Sequence, residues 1–392
     1  ITDYSATAVE GAVLNTKTLY FVYDYEEYRE KNGMNIDLFE EMPGCVFEDA
    51  DKNIWIGTYY NGLFFKGANG ECIDFAHIPD SMQNIRSLIL DKHNNVWAFT
   101  DNAGVYRLNH NTEQWTSIKR LGGRKFHNAC HDDKNSRIWA YDTEHGLVCI
   151  DYQSNSITEY RIEPLTNSFG YALLYANGEL YLGGEHGICR FAGSKNGNAV
   201  LSPIGNLECP VYDMLQDSNG TIWIAGGGLY TLEGNRTVRR DHSDELTNSM
   251  CHDIDIDADN RIWIAVIDKG LALFENGEIS FYNKAGSGLA SDYANTVTCT
   301  NEGEIVVGSL QGLSIFNPAN GSFYNYGEAS GVTGNTMAGR SSILMYDGSV
   351  WVGNHTGITI YNGKSPHSSK CKPIRIYEIL SQENLVTILN PI

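Results

Sequence analysis

A short phrase, DKNIWIGTYYNGLFF at residues 51–65, returns as NNVWAFTDNAGVYRL at 94, NSRIWAYDTEHGLVCI at 135, NGELYLGGEHGICRF at 177 and NGTIWIAGGGLYTL at 219. It returns again as DNRIWIAVIDKGLALF at 259, EGEIVVGSLQGLSIF at 302 and DGSVWVGNHTGITIY at 347. The anchors Trp55, Trp97, Trp139, Tyr181, Trp223, Trp263, Val306 and Trp351 stand 42, 42, 42, 42, 40, 43 and 45 residues apart. A period of this length, with short β-type segments and no helical pattern inside it, specifies the blades of a β-propeller. The first copy shows the parts: a strand ending near Asp49, an acidic turn, a strand through Trp55, a turn at Asn61-Gly62, a strand Leu63 to Lys66, and a strand near Cys72 to Ala76. Four antiparallel strands make one blade. The fold class is therefore all-β.

Eight copies predict eight blades. Residues 18–35, TLYFVYDYEEYREKNGMN, read like the last two strands of a blade, and the last copy has no outer strand before GKSPHSSKCKP. We therefore expect residues 18–30 to complete the last blade and close the ring within a propeller spanning 1–365. Seven blades follow if the first copy belongs to a preceding propeller.

The charge balance narrows the partners. With 28 basic against 48 acidic residues the net charge is −20, which repels phosphate backbones and anionic lipid, so nucleic acid is not expected. Hydrophobic residues make up 42% of the chain, enough for a large core, yet they form no apolar run of about 18 residues that would span a bilayer. The chain opens on Ile1-Thr2-Asp3-Tyr4 with neither initiator Met nor signal peptide and reads as a piece of a longer polypeptide. Nine cysteines, scattered singly and without a CxxC pair, read as buried thiols filling strand positions.

Chemical motifs are few. DIDIDADN, Asp253 to Asn260, begins like a calcium loop, but the pattern wants Gly at Asn260 and Glu at Val266. The same turn chemistry recurs as EDADKN, LDKHNN and QDSNGT, so no metal is assigned. HExxH, Gly-x-Ser-x-Gly and P-loop signatures are all missing, and AGGGL at Ala225 is followed by no helix that could cradle a phosphate. No catalytic residue and no cofactor are assigned.

The repeat D-x-x-G/N-x-I-W-I-G-T-x-x-G-L-x-x-F resembles that of the two-component regulator propeller family. The resemblance covers residues 42–362, although Tyr181 and Val306 replace Trp and Ala225 and Ala265 replace Gly. The tail, residues 372–392, is similar to the first strands of the immunoglobulin-like connector that follows such propellers. The resemblance implies an extracytoplasmic module of a bacterial receptor that senses a ligand, often a carbohydrate. It further implies coupling to a histidine kinase or cyclase, a homodimeric receptor, and a membrane attachment supplied only by segments outside this chain.

In a propeller the innermost strand begins on the same face as the turn between the second and third strands, and that face is the default binding surface. Eleven residues before each anchor stand Gly44, Arg86, Asn128, Gly170, Tyr212, His252, Asn295 and Arg340. Neighbouring positions add His127, Phe169 and Tyr293, and the turns add Tyr59, Tyr60, Asp142, His186, Asp268 and His355. Aromatic faces cover the C–H surface of sugars, Asn and His meet hydroxyls, and Arg grips a carboxylate through two parallel hydrogen bonds. As ligand-binding candidates we take Arg86, His127, Asn128, Tyr212, His252, Tyr293, Asn295, Arg340, Tyr59 and Tyr60.

Three readings compete. A sensor binds a small molecule or oligosaccharide on this face. A hydrolase or lyase would need facing carboxylates, for which Asp142 and Asp268 are candidates, or a His base at 127 or 252. A protein-interaction scaffold would show an apolar patch on one face rather than a polar funnel.

Overall fold

The computed structural model describes residues 73–162, 169–241, 246–247, 249–327, 332–334 and 336–363, and strands at 46–48, 54–58, 62–66, 378–380 and 385–387. Seven four-stranded antiparallel sheets form the propeller. Their innermost strands are Ile85–Leu90, Phe126–Asp132, Phe169–Ala176, Val211–Gln216, Met250–Ile256, Ala294–Cys299 and Met337–Leu344, in blades one to seven. Each neighbours the next, and the seventh returns to the first, so the circle is closed.

The closing strand corrects the expected count. Blade seven consists of Met337–Leu344, Val350–Asn354 and Ile358–Tyr361, completed on its outer edge by Ile73–Phe75. Thr359 pairs with Phe75 and Tyr361 with Ile73. The stretch near 72–76, expected as the fourth strand of the first copy, thus belongs to the last blade, and it takes the place expected for residues 18–30, which lie outside the described residues. The ring has seven blades, not eight. The first copy forms a three-stranded sheet of its own, Val46–Glu48, Ile54–Thr58 and Gly62–Lys66. Sequence spacing counts copies of a motif but does not specify which sheet receives a copy's last strand. Closure by a strand from the far end of the ring protects an edge that would otherwise invite pairing.

The acidic turns are explained by the tryptophans. Trp97 Nε1 donates to Asp91 at 2.9 Å, Trp223 Nε1 to Asp217 at 3.0 Å and Trp263 Nε1 to Asp257 at 2.8 Å, in each case across six residues. The same carboxylates accept turn amides: Asp257 takes those of Asp259 and Arg261, and Asp217 those of Asn219 and Thr221. Burial alone would raise these carboxyls, but the indole and amide donors outweigh it and hold all three below their ordinary value. Asp257, the third acid of DIDIDADN, therefore fixes an anchor ring inside its blade.

Two residues after each anchor, the second strand meets the innermost strand of the next blade, and there volumes alternate. Where this residue is Gly183 or Gly353, an added Cβ would come 2.6 Å from the Val211 or Ile85 side chain of the next blade, and at Gly308 it would come 3.0 Å from Met337 of the next blade. In blade one it is Phe99, packed edge-on against Phe126 at 5.5 Å. In blade two it is Tyr141, and its partner position holds Gly170, where a Cβ would lie 2.1 Å from the Tyr141 ring. Large against small, or two large rings meeting edge-on as in Phe99 and Phe126, keeps the wedges filled without overlap.

Among the described cysteines Cys130, Cys149, Cys189, Cys251 and Cys299 are buried and unbridged, and Cys209 is partly exposed. Past the propeller, Glu378–Leu380 and Leu385–Thr387 pair antiparallel. No helix among the described residues is long and apolar enough to cross a membrane.

Candidate functional site

Every innermost strand breaks register near its start, on one face of the propeller. The irregularity falls between Ile85 and Ser87, across His127, between Phe169 and Ala172, between Val211 and Asp213, between Cys251 and Asp253, between Ala294 and Thr296, and between Met337 and Ser342. A bulge inserts an unpaired residue and re-aims its side chain. The residues so inserted include Arg86, His127, Tyr171, Tyr212, His252, Asn295 and Arg340. Blade seven departs furthest, and Arg340 there has φ 57°, a left-handed conformation uncommon for a residue with a Cβ.

Six of these residues, all except Asn295, line one cavity of about 370 Å³ together with Glu185, Pro210, Met250 and Gly339. Aromatic rings form one wall: His127 meets Tyr171 at 5.4 Å, Tyr171 stacks on Tyr212 at 5.9 Å, and Tyr212 meets His252 at 5.8 Å. Arg340 reaches from blade seven across the axis and donates to the Tyr212 carbonyl of blade four. Arg86 donates to Asp101 at 2.8 Å.

Neighbouring blades are stapled through side chains. His127 Nδ1 lies 3.2 Å from Gly170 O, His252 Nδ1 lies 2.9 Å from Asn295 O, Asn128 donates to Tyr171 O at 2.8 Å and Asn295 to Met337 O at 2.9 Å. A carbonyl only accepts, so both imidazoles carry hydrogen on Nδ1 and present Nε2 as an acceptor. Burial, reinforced by the charges of Arg340 and Arg86, lowers His127 to about 3 and His252 to about 4. Both are neutral at physiological pH.

Behind the bulges lies an acid pair. Asp213 and Asp253 hydrogen-bond to each other, Asp213 also accepts from Ile254 N at 3.2 Å, and Asp253 accepts from Thr296 Oγ1 and from Val297 N at 2.9 Å. Burial raises both carboxyls, and the neighbouring Asp213 lifts Asp253 well above the usual carboxylate range. One proton is thereby held within the pair.

The positions singled out from sequence divide. Arg86, His127, Tyr212, His252 and Arg340 meet in the cavity, whereas Asn128 and Asn295 spend their amides on the stapling bonds. Tyr293 stands on the rim, 43% exposed, with its phenol hydrogen-bonded to Asp268. His355 bonds Asn84 at 2.8 Å. Asp142, expected to face the cavity as a candidate carboxylate, is fully buried and bound to Arg124 and His145. Gly44, Tyr59 and Tyr60 lie outside the described residues. Spacing alone missed Tyr171: counting eleven back from the anchor gives Gly170, which is small because Tyr141 occupies the space of its side chain.

Residues 207–228, which span the start of blade four and its anchor, match the two component regulator propeller model, and residues 1–60 match that of CDP-glycerol:poly(glycerophosphate) glycerophosphotransferase. Over 56 residues the chain is 38% identical to the teichoic acid poly(ribitol-phosphate) polymerase of Bacillus spizizenii, a match covering 14% of this chain and 9% of that protein. The glycerophosphotransferase match thus spans the stretch expected to supply closing strands. The extracellular domain of a hybrid two-component system from B. thetaiotaomicron superposes with TM-score 0.67 at 18% identity, over 88% of this chain and 50% of that one. A second such domain from the same organism gives 0.57 at 12%, over 74% and 39%. Virginiamycin B lyase from Staphylococcus aureus, solved with quinupristin, gives 0.59 at 13%, over 74% and 98%. The chain is a seven-bladed β-propeller. One of its repeats, at residues 207–228, matches the two-component regulator propeller model, and the chain spans half or less of the length of the two sensor domains.

Proposed function

We propose that this chain is the extracytoplasmic, ligand-sensing propeller of a bacterial receptor of the hybrid two-component class, taking a small molecule or oligosaccharide into the axial cavity. The observation that carries the reading is the set of seven bulges: the strands repeat, but the bulge residue runs Arg, His, Tyr, Tyr, His, Asn and Arg around the ring, all but the Asn lining one cavity. A cavity lined by Arg, His and Tyr in unlike positions suits one asymmetric ligand. Beside it Met250, Tyr293 and Leu310, each at least 40% exposed, form a lip on the same face over which a longer chain would extend. Tyr293, held by Asp268, offers a ring face for a sugar to stack on.

Turnover is disfavoured by the same geometry. His127 and His252, lowered to about 3 and about 4, are weak bases at neutral pH. Asp142 is buried in an ion pair and Asp268 is engaged by Tyr293, so neither is poised across the cavity from a partner carboxylate. A closed ring has little room to change internally. The signal is therefore a changed relation between subunits, passed on through the C-terminal segment.

A thermal-shift screen of the purified chain against mono- and oligosaccharides, with overnight incubation of each hit and analysis for product, tests the reading. A ligand that raises Tm and returns unchanged supports it. A ligand that is consumed makes the chain an enzyme instead.

A further inference from the structure

The arginines of the cavity restrict what the ligand can be. Arg86 and Arg340 sit on blades one and seven, adjacent across the ring closure, and each has a buried Nε without a hydrogen-bond partner. Arg86 makes a bond through Nη2 to Asp101, and Arg340 one through Nη1 to the Tyr212 carbonyl. A guanidinium carries five N–H groups in a planar fork, so both retain donors beyond these bonds. Buried donors without acceptors are costly, and a charged group raises that cost. Among the described residues Arg340 forms no direct ion pair: Asp213 and Asp253 act on its charge only at longer range, and their oxygens are taken by each other and by the amides and hydroxyl named above. The remaining lining is two neutral imidazoles with acceptor Nε2 atoms, two stacked phenol rings and one carboxylate, Glu185, which is exposed.

We infer that the axial cavity takes a sugar or polyol bearing an oxyanion, a carboxylate or a phosphate, which lies between Arg86 and Arg340 while its hydroxyls meet His127 and His252. This rests on the axial cavity being the ligand site. A neutral sugar can offer each guanidinium only single, uncharged hydroxyl acceptors, whereas an oxyanion accepts charge-assisted N–H bonds from both arginines. The local field agrees, since the two guanidiniums are already the charges that help to keep the histidines unprotonated. In a chain of net charge −20 this pair is the feature that would select an anion against the general repulsion.

Titration calorimetry with matched pairs tests the inference: glucuronate against glucose, galacturonate against galactose, and glycerol 3-phosphate and ribitol 5-phosphate against the free polyols, each at low and high salt. At least one anionic member should bind about tenfold or more tightly than its neutral partner, with a preference that shrinks as salt rises. The carboxylate and phosphate arms tell the two sources apart. Arg86→Gln should abolish the preference, so that anionic and neutral members bind alike. Arg340→Gln should do the same, and Arg340→Lys should not restore it, because a point charge lacks the fork. Should the Arg340 variants melt early through loss of the bond to Tyr212, Arg86→Gln alone decides. Neutral members binding as tightly as anionic ones would overturn the inference and leave the axial site standing. Anion binding unaffected by either arginine, or no binding by any member, would overturn both.

Discussion

The two ends of each innermost strand are treated oppositely by the same repeat. At the turn end, Asp91, Asp217 and Asp257 each receive an indole N–H from a tryptophan six residues on, the same bond repeated in blades one, four and five. At the axial end the backbone device is copied, a bulge in all seven blades, but the side chain it presents is not. Repetition of both backbone and side chain marks what builds the blade. Repetition of backbone with varied side chains marks where the ring has become a site.

The largest effect should come from the copied end. Trp263 is fully buried, and Trp263→Ala should cost about 3–5 kcal/mol through the cavity it leaves, read from the urea unfolding midpoint. Next is the volume match that hides the axial position of blade three. Gly170→Ala places a Cβ against Tyr141 at a φ of +86° and should cost about 2–3 kcal/mol, part of it recovered in the double variant with Tyr141→Ala. Full recovery would make backbone strain negligible; none would make the wedge packing irrelevant.

The pH dependence separates the ends by sign. His252 falls from 6.5 to about 4 on folding, so the unfolded chain binds more protons between those values. Stability from this group is complete above pH 6.5 and is lost as pH falls toward 4. Asp255, raised by burial from 3.8 to about 6, works against it: the folded chain binds more protons there, and stability falls as pH rises between those values. His252→Gln should therefore flatten the loss of stability between pH 6.5 and pH 4, and Asp255→Asn should steepen it, in urea titrations across that range. The smallest effect tests the indole cap. Trp263→Phe should cost about 1–2 kcal/mol because its bond to Asp257 is lost, whereas Trp139→Phe should be nearly neutral because the Trp139 Nε1 is buried without a partner.

The period made the blades legible because each carries its own anchor and turn, and local chemistry repeats in sequence as it does in space. Ring closure was not legible. Ile73–Phe75 lies beside the first copy in sequence but pairs with Ile358–Tyr361 at the far end of the chain, and only the sheet register reveals it. For the site, counting back from the anchors reached Arg86, Tyr212, His252 and Arg340, since the bulge falls at a nearly constant distance. It failed at blade three, where the Tyr141 ring forces Gly170 and passes the inward position to Tyr171. It also grouped Asn128 and Asn295 with the cavity, although both side chains turn sideways to a carbonyl of the next blade. A period specifies where a residue stands on a strand; whether its side chain points along the axis or across to a neighbour is decided by the bulge.

The central claim is that the bulged axial end, not the turn end, is where a ligand is read. With a ligand found by thermal shift, the most direct measurement is its calorimetric Kd against Tyr212→Ala and Tyr346→Ala. Tyr212 lines the axial cavity, while Tyr346 lies on the opposite face, 55% exposed and packed edge-on against His110 at 4.8 Å. Kd should weaken at least about tenfold in Tyr212→Ala and stay unchanged in Tyr346→Ala. An unchanged Kd in Tyr212→Ala with a loss in Tyr346→Ala would place recognition on the turn face and contradict this account.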